Sequence, residues 1–269
     1  MQVAERSDRA LKLALNESAA RRKLPPDLAR RIWEIYQDPL RSRAFAFLDA
    51  VMGPRQALAC TDSLSTYKVG VVGCGGIGSA VAYLLAGMGV RSFLLIDPDV
   101  VEPGNLSRQV LYTLADAGKA KVQVLDLALR QRFGELSIQT IQDGGMSRNC
   151  IDALSKTTVV VCAGDDPPTL SSQLTYALGG RVPVWSCGYA LGTSIVRAPR
   201  KPEPVVRRKS IDWFPVAEGF APSIGFQNLE IAARCCAGIV LGGIANQGSN
   251  HYIMDYRNLL PRTGKTRRK

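Results

Sequence analysis

The chain has 269 residues, 46% hydrophobic and 21% charged, which allows a full core and excludes wholesale disorder. Its formal net charge of +11 draws polyanions such as nucleic acid, acidic peptides, anionic membranes or ATP, without choosing among them. Glu5, Arg6 and Asp8 interrupt any secretory apolar core, and no uncharged apolar run reaches membrane-spanning length. The seven cysteines are an odd number lying largely in apolar segments, so the expectation is a cytoplasmic, reduced protein with no membrane partner.

Residues 1–62 read as a helical N-terminal extension. Ala4 to Arg22 is charged and periodic. Pro25, Pro26 and Asp27 start a second helix, with Leu28, Ile32, Ile35 and Tyr36 at helical spacing. A third helix is expected near Pro39 to Val51, followed by a loop rich in Ser and Thr. From Tyr67 the pattern changes. Val69 to Val72 is a β-branched run ending in Gly73, a helical segment runs to Met88, and Ser92 to Ile96 is a second strand. Residues 115–133 read as one helix and Ser137 to Ile141 as a strand. Thr158 to Cys162 is a continuous apolar run suited to a strand buried on both faces. Ser171 to Leu178 reads as helix, Val182 to Ser186 as strand, and 199–222 as a long loop rich in proline and charge. Asn228 to Ile244 is an apolar helix, and the basic tail Arg262 to Lys269 closes the chain. Strands alternating with helices predict an α/β fold: a Rossmann-like, mostly parallel sheet with helices on both faces, occupying residues 63–269.

The chemistry gathers at the strand ends. Gly73, Gly75, Gly76 and Gly78 follow the first strand and open a helix, where backbone amides can approach phosphates and the helix dipole favours negative charge. Asp97 ends the second strand, and a carboxylate there can accept hydrogen bonds from ribose hydroxyls. The fingerprint alone leaves nicotinamide, flavin and ATP users open. Asp99, Asn105, Arg108, Gln109, Lys121 and Asp165 follow in order. An Arg, a Lys and an Asp converging on the phosphate end suit an adenylating site, where negative charge develops on the α-phosphate and on departing pyrophosphate. Each residue also has a plainer role open to it. Lys121 could be a solvated helix face, Asp165 a helix cap, and Arg108 a structural partner of Asp99. His251, the only histidine, has no nucleophile beside it and reads as structural or surface.

In order and spacing these motifs resemble the ThiF, MoeB and HesA adenylyltransferase family, over roughly residues 66–198 and 221–245. Within that family the run Asn105 to Leu111, the Asp165-Asp166-Pro167 turn and Ala190 after Cys187-Gly188-Tyr189 are similar to the MccB-type peptide-adenylating enzymes. The resemblance implies that the four glycines shape the nucleotide loop, Asp97 binds the ribose, and Asn105, Arg108 and Lys121 contact the phosphates. The resemblance likewise puts Asp99 and Gln109 in the nucleotide site and implies that Asp165 coordinates magnesium. It also implies ATP and Mg2+ as cofactors and a homodimer in which an arginine, Arg43 in preference to Arg41, reaches the partner's γ-phosphate.

Two departures from the family bear on the product. With no C-x-x-C pair, no structural zinc is expected. With no cysteine between Gly188 and Arg234, a thiol relay is doubtful, leaving Cys187 at a strand end as the residual candidate. The leading expectation is activation of a carboxylate on a precursor peptide, in maturation of a ribosomal peptide natural product such as an antibiotic. Residues 1–62 would then serve as peptide clamp or dimer arm. A ubiquitin-like protein or tRNA ranks lower as partner. The alternatives are a tRNA-modifying dehydratase of the same family and a non-catalytic peptide-binding or dimerisation module. A nicotinamide oxidoreductase ranks last.

Overall fold

The β-branched runs become the central strands of a seven-stranded sheet in the computed structural model, which describes residues 24–164, 167–190, 193–201, 224–241 and 251–255. The helix expected over Ala4 to Arg22, Asp165, most of the 199–222 loop and the basic tail lie outside these residues. The described chain falls into two units. One holds the residues up to Ser65 with Gly87–Gly89, and the other holds Thr66–Ala86 with the residues from Val90 onward.

The first unit is helical. Helix α1 (Pro26–Gln37) begins with proline in its first turn and Asp27 near its positive end. Its buried Tyr36 meets Phe45 of α2 (Ser42–Met52) edge to face at 5.2 Å and donates to Asp49 at 3.3 Å. The expected Ser/Thr loop is instead a third helix, α3 (Pro54–Thr66). Its apolar positions explain why: Ala57, Leu58, Thr61 and Leu64 recur at helical spacing and are all buried. The hydroxyls of Thr61 and Ser65 bond back to the Ala57 and Asp62 carbonyls, so polar side chains sit in the helix without competing with it.

In the second unit the strand order is β3-β2-β1-β4-β5-β6-β7. Strands β1 (Lys68–Val72), β2 (Ser92–Ile96), β3 (Ser137–Ile141), β4 (Val159–Cys162) and β5 (Val184–Ala190) pair in parallel. On one face Val72, Leu94, Ile96, Val160 and Cys162 form a core with residues of α6 (Arg148–Leu154) and α7 (Pro167–Ala177). The alternate residues Val71, Phe93, Leu95 and Val161 point to the opposite face and are equally buried, so both faces are covered. In chain order α4 (Gly76–Gly87) joins β1 to β2, and α5 (Lys121–Phe133) lies between β2 and β3.

The single helix expected over 115–133 is divided. Leu114–Asp116 is a short 3-10 turn, Gly118 takes φ +83°, and Ala120 bridges to Val100 before α5 begins. A left-handed residue and an extended bridge cannot continue a helix. Two strands had no counterpart in the sequence reading. β6 (Thr193–Arg197) and β7 (His251–Asp255) pair antiparallel beyond β5, and His251 opens the last of them opposite Arg197. Helix α8 (Gly225–Leu241) buries Cys235 and Cys236. No helix among the described residues is long and apolar enough to cross a membrane.

Candidate functional site

Strand order fixes where a ligand can enter. The chain leaves β1 for β2 on one side, while β4 lies on the other side of β1. At such a reversal the loops diverge and open a crevice beyond the carboxyl ends of the strands. A cavity of about 880 Å³ lies there, lined by the glycine turn, the segment after β2, the start of α5, Ala163-Gly164, part of α7, Tyr189 and Asn228.

The turn is built from contacts that leave no room for side chains. Gly73 has φ +90°, and a Cβ on it would fall 2.4 Å from the Gly164 nitrogen. A Cβ on Gly78 would strike the Gly73 carbonyl, which seals the turn against α4. Gly75 borders Gln109, and Gly76 borders the Arg108 carbonyl and the Asn228 amide. Gly73, Gly75 and Gly76 face the cavity, while Gly78 packs behind them.

Asp97 is 4% exposed and uses both oxygens on the backbone around it. Cys74 N–H donates at 2.6 Å and Asp99 N–H at 2.8 Å. Burial raises its carboxyl above the usual range, against the opposing pull of the Asp99 N–H, the Lys121 charge and the Cys74 N–H. Tyr112, which the sequence did not single out, donates its hydroxyl to the Cys74 carbonyl at 2.5 Å. Cys74 is therefore held through both its N–H and its C=O. Burial also drives its thiol pKa well up, which disfavours the reactive thiolate.

Lys121 is not a solvated helix face. Its side chain is 8% exposed, and its ammonium sits 2.8 Å from Asp99, whose carboxylate is 59% exposed. Arg108 does not pair with Asp99. Its guanidinium donates to the Gly104 carbonyl at 3.0 Å and lies on the cavity wall. Asn105 is buried and accepts the Glu102 N–H at 3.1 Å, closing a one-turn capping box that fixes the start of the Arg108 segment. Gln109 is 4% exposed, and its amide oxygen has no hydrogen-bond partner among the described residues. Asp143 also lines the cavity, held below the usual carboxylate range chiefly by the Gly145 N–H at 2.8 Å.

The structure therefore brings Gly73, Gly75, Gly76, Asp97, Asp99, Asn105, Arg108, Gln109 and Lys121 to one cavity. Asp165 lies outside the described residues, although Ala163 and Gly164 just before it are on the wall. Arg43 is exposed on α2, whereas Arg41 is held by Asp38 at 2.5 Å. Cys187 is not at a strand end. It lies within β5 opposite Val196 and is fully buried, which removes it from any relay that needs an accessible thiol. Asp143, Gln173, Tyr189 and Asn228 are wall residues that sequence reasoning missed. The available signal was faint: Asn228 is a polar residue in an apolar helix.

The model of the ThiF family matches residues 48–189. The chain is 33% identical over 116 residues to the adenylyltransferase and sulfurtransferase MOCS3 of Arabidopsis thaliana, covering 43% of this chain and 25% of that protein. It is 33% identical over 113 residues to the sulfur carrier protein ThiS adenylyltransferase of Escherichia coli K12, covering 42% of this chain and 45% of that one. The chain thus spans less than half the length of either curated relative. Among solved structures, E. coli MccB with MccA-N7isoASN aligns at a TM-score of 0.66 and 25% identity, covering 80% of this chain and 68% of that one.

Proposed function

The chain belongs to the ThiF family, and on that premise we propose that it is an ATP-dependent adenylyltransferase that activates the carboxylate of a peptide. The observation that carries this reading is the convergence of a buried lysine, a buried carboxylate and a side-chain-free glycine turn on one cavity of nucleotide size. The residues present fit ATP. The glycine turn lets a phosphate approach the backbone, and the Gln109 oxygen, without a partner among the described residues, can accept one donor.

Asp97 lies at the sugar end. Each of its oxygens keeps a lone pair beyond its backbone bond, and these accept the ribose hydroxyls. The triphosphate runs along the turn toward Arg108 and Lys121. An oxygen of the peptide carboxylate attacks the α-phosphorus, the α–β bridging P–O bond breaks, and pyrophosphate leaves from an acyl-adenylate. Lys121 and Arg108 hold the negative charge that grows on the departing oxygens, and burial strengthens the lysine's share. Asn105 orients this segment. Magnesium, when bound, neutralises pyrophosphate charge. Asp165 is its expected holder, and no group of three metal-ligating side chains occurs among the described residues.

The peptide as acceptor is supported by the likeness to MccB, solved with MccA-N7isoASN. The burial of Cys187 supports capture of the adenylate by a nucleophile other than a thiol on this chain. In a homodimer, exposed Arg43 is freer than Arg41 to reach a neighbouring γ-phosphate.

Exchange of radiolabelled pyrophosphate into ATP tests the reading, with synthetic peptides bearing a free carboxyl terminus, ThiS sulfur carrier protein and bulk tRNA as separate acceptors. Peptide-dependent exchange supports it. Exchange only with ThiS or tRNA keeps the chemistry and replaces the substrate. No exchange, together with no ATP binding, removes the enzymatic reading. Light scattering measures the oligomeric state.

A further inference from the structure

Helix α8 begins more than a hundred residues after the glycine turn, yet one of its side chains reaches that turn. Asn228 is 1% exposed, lies on the cavity wall, and places its amide nitrogen 2.2 Å from where a Cβ of Gly76 would be. The same point lies 2.9 Å from the Arg108 carbonyl. Three elements therefore meet at the first residue of α4: the turn, the Arg108 segment and α8. Gly225 fixes the approach. A Cβ on it would sit 3.4 Å from the Ser107 carbonyl, so α8 starts in close contact with the Arg108 segment and Asn228 arrives one turn later.

The chemical class of its partner follows from its position. Asp97 marks the sugar end and is tied directly to the turn through Cys74 N–H. The phosphate next to the sugar is therefore the one that lies against Gly75 and Gly76, where the N–H groups opening α4 favour an anion. An amide N–H at that point is a neutral donor to an anionic oxygen, and it supplies direction without adding positive charge.

We propose that Asn228 is a nucleotide-positioning residue whose side-chain amide donates to an oxygen of the phosphate nearest the ribose. The proposal rests on the adenylyltransferase reading and deepens it. Gly76 is then glycine for two reasons: the backbone must approach a phosphate, and the Asn228 amide needs the space a Cβ would fill.

Calorimetric titration with adenosine, AMP and ATP separates this role from a structural one. Asn228→Asp keeps the shape and replaces the donor with an anionic acceptor. AMP and ATP binding should weaken by about tenfold or more, with adenosine binding within about twofold of the unaltered protein. If Asn228→Asp also loses adenosine, Asn228→Ala decides: loss of AMP with adenosine retained supports the proposal. Equal loss of all three ligands in Asn228→Ala, or unchanged AMP binding in Asn228→Asp, overturns it. A native chain that binds none of the three refutes the adenylyltransferase reading itself, an outcome distinct from either result with the variants.

Discussion

The two sides of the sheet are held together in different ways. Around β1, β2 and β4 the strands are parallel and buried on both faces, and the polar groups converge on a cavity. At β6 and β7 the strands are antiparallel, and their polar groups face one another. Glu230 of α8 accepts from Ser194 at 3.1 Å and from the Tyr252 hydroxyl, while Arg234 lies over the Tyr252 ring at 4.6 Å. On the outer side, polar residues fasten a helix to strands, with both Glu230 oxygens engaged by strand hydroxyls. On the inner side, the Gln109 oxygen lacks a partner among the described residues and Asp97 retains accepting capacity. The polar groups of the outer side bond to one another, whereas those of the inner side keep accepting capacity at the cavity wall.

Substitutions can break or sharpen that contrast. The largest effect is expected at Gly73→Ala, which forces an L side chain into φ +90° and onto the Gly164 backbone. It should lower stability in urea unfolding by about 3 kcal/mol or more, and a neutral result would mean the turn is not rigid. Lys121→Ala should reduce pyrophosphate exchange by about 10²–10³-fold while the protein still melts cooperatively. Retained exchange would remove this lysine from the phosphate site. Asp97→Ala should weaken ATP binding by about tenfold or more and lower stability by about 1–3 kcal/mol, because two backbone N–H groups lose their acceptor. The smallest effect belongs to the outer side. Tyr252→Phe should cost about 1 kcal/mol and leave exchange unchanged, since it removes one partly exposed bond.

The same tyrosine gives the outer side a pH signature. Burial, and then the bond to Glu230, push its hydroxyl from 10.0 up to about 12. A raised value in the folded state means the native form keeps its proton longer than the unfolded chain. The Tyr252 contribution is therefore complete below pH 10 and is lost as pH rises through about 12. Thermal melts of the native chain and Tyr252→Phe should converge across that interval, and parallel curves would deny the coupling to Glu230.

The parallel core could be read from the sequence because its signals are local. The runs Val69 to Val72 and Ser92 to Ile96 are β-branched or apolar, and the glycine turn and Asp97 sit beside them. The helix α3 was hidden because Thr61 and Ser65 resemble loop residues until their bonds to preceding carbonyls are seen. β6 buries only alternate residues, and β7 returns to it from far along the chain, so neither pattern stands out locally. In the site, residues close to the turn in sequence or motif were found. Asn228 and Tyr112 reach it only through tertiary packing, which spacing along the chain does not encode.

The Lys121–Asp99 pair has one more implication. The ammonium is sheltered while its carboxylate partner is more than half open to water, so on the proposed reading a triphosphate reaches a lysine that already holds a counterion. Occupancy of the cavity therefore becomes a contest between two anions for one cation. The side chain of Asp99 is the water-exposed competitor, and neutralising it would tilt that contest toward the nucleotide.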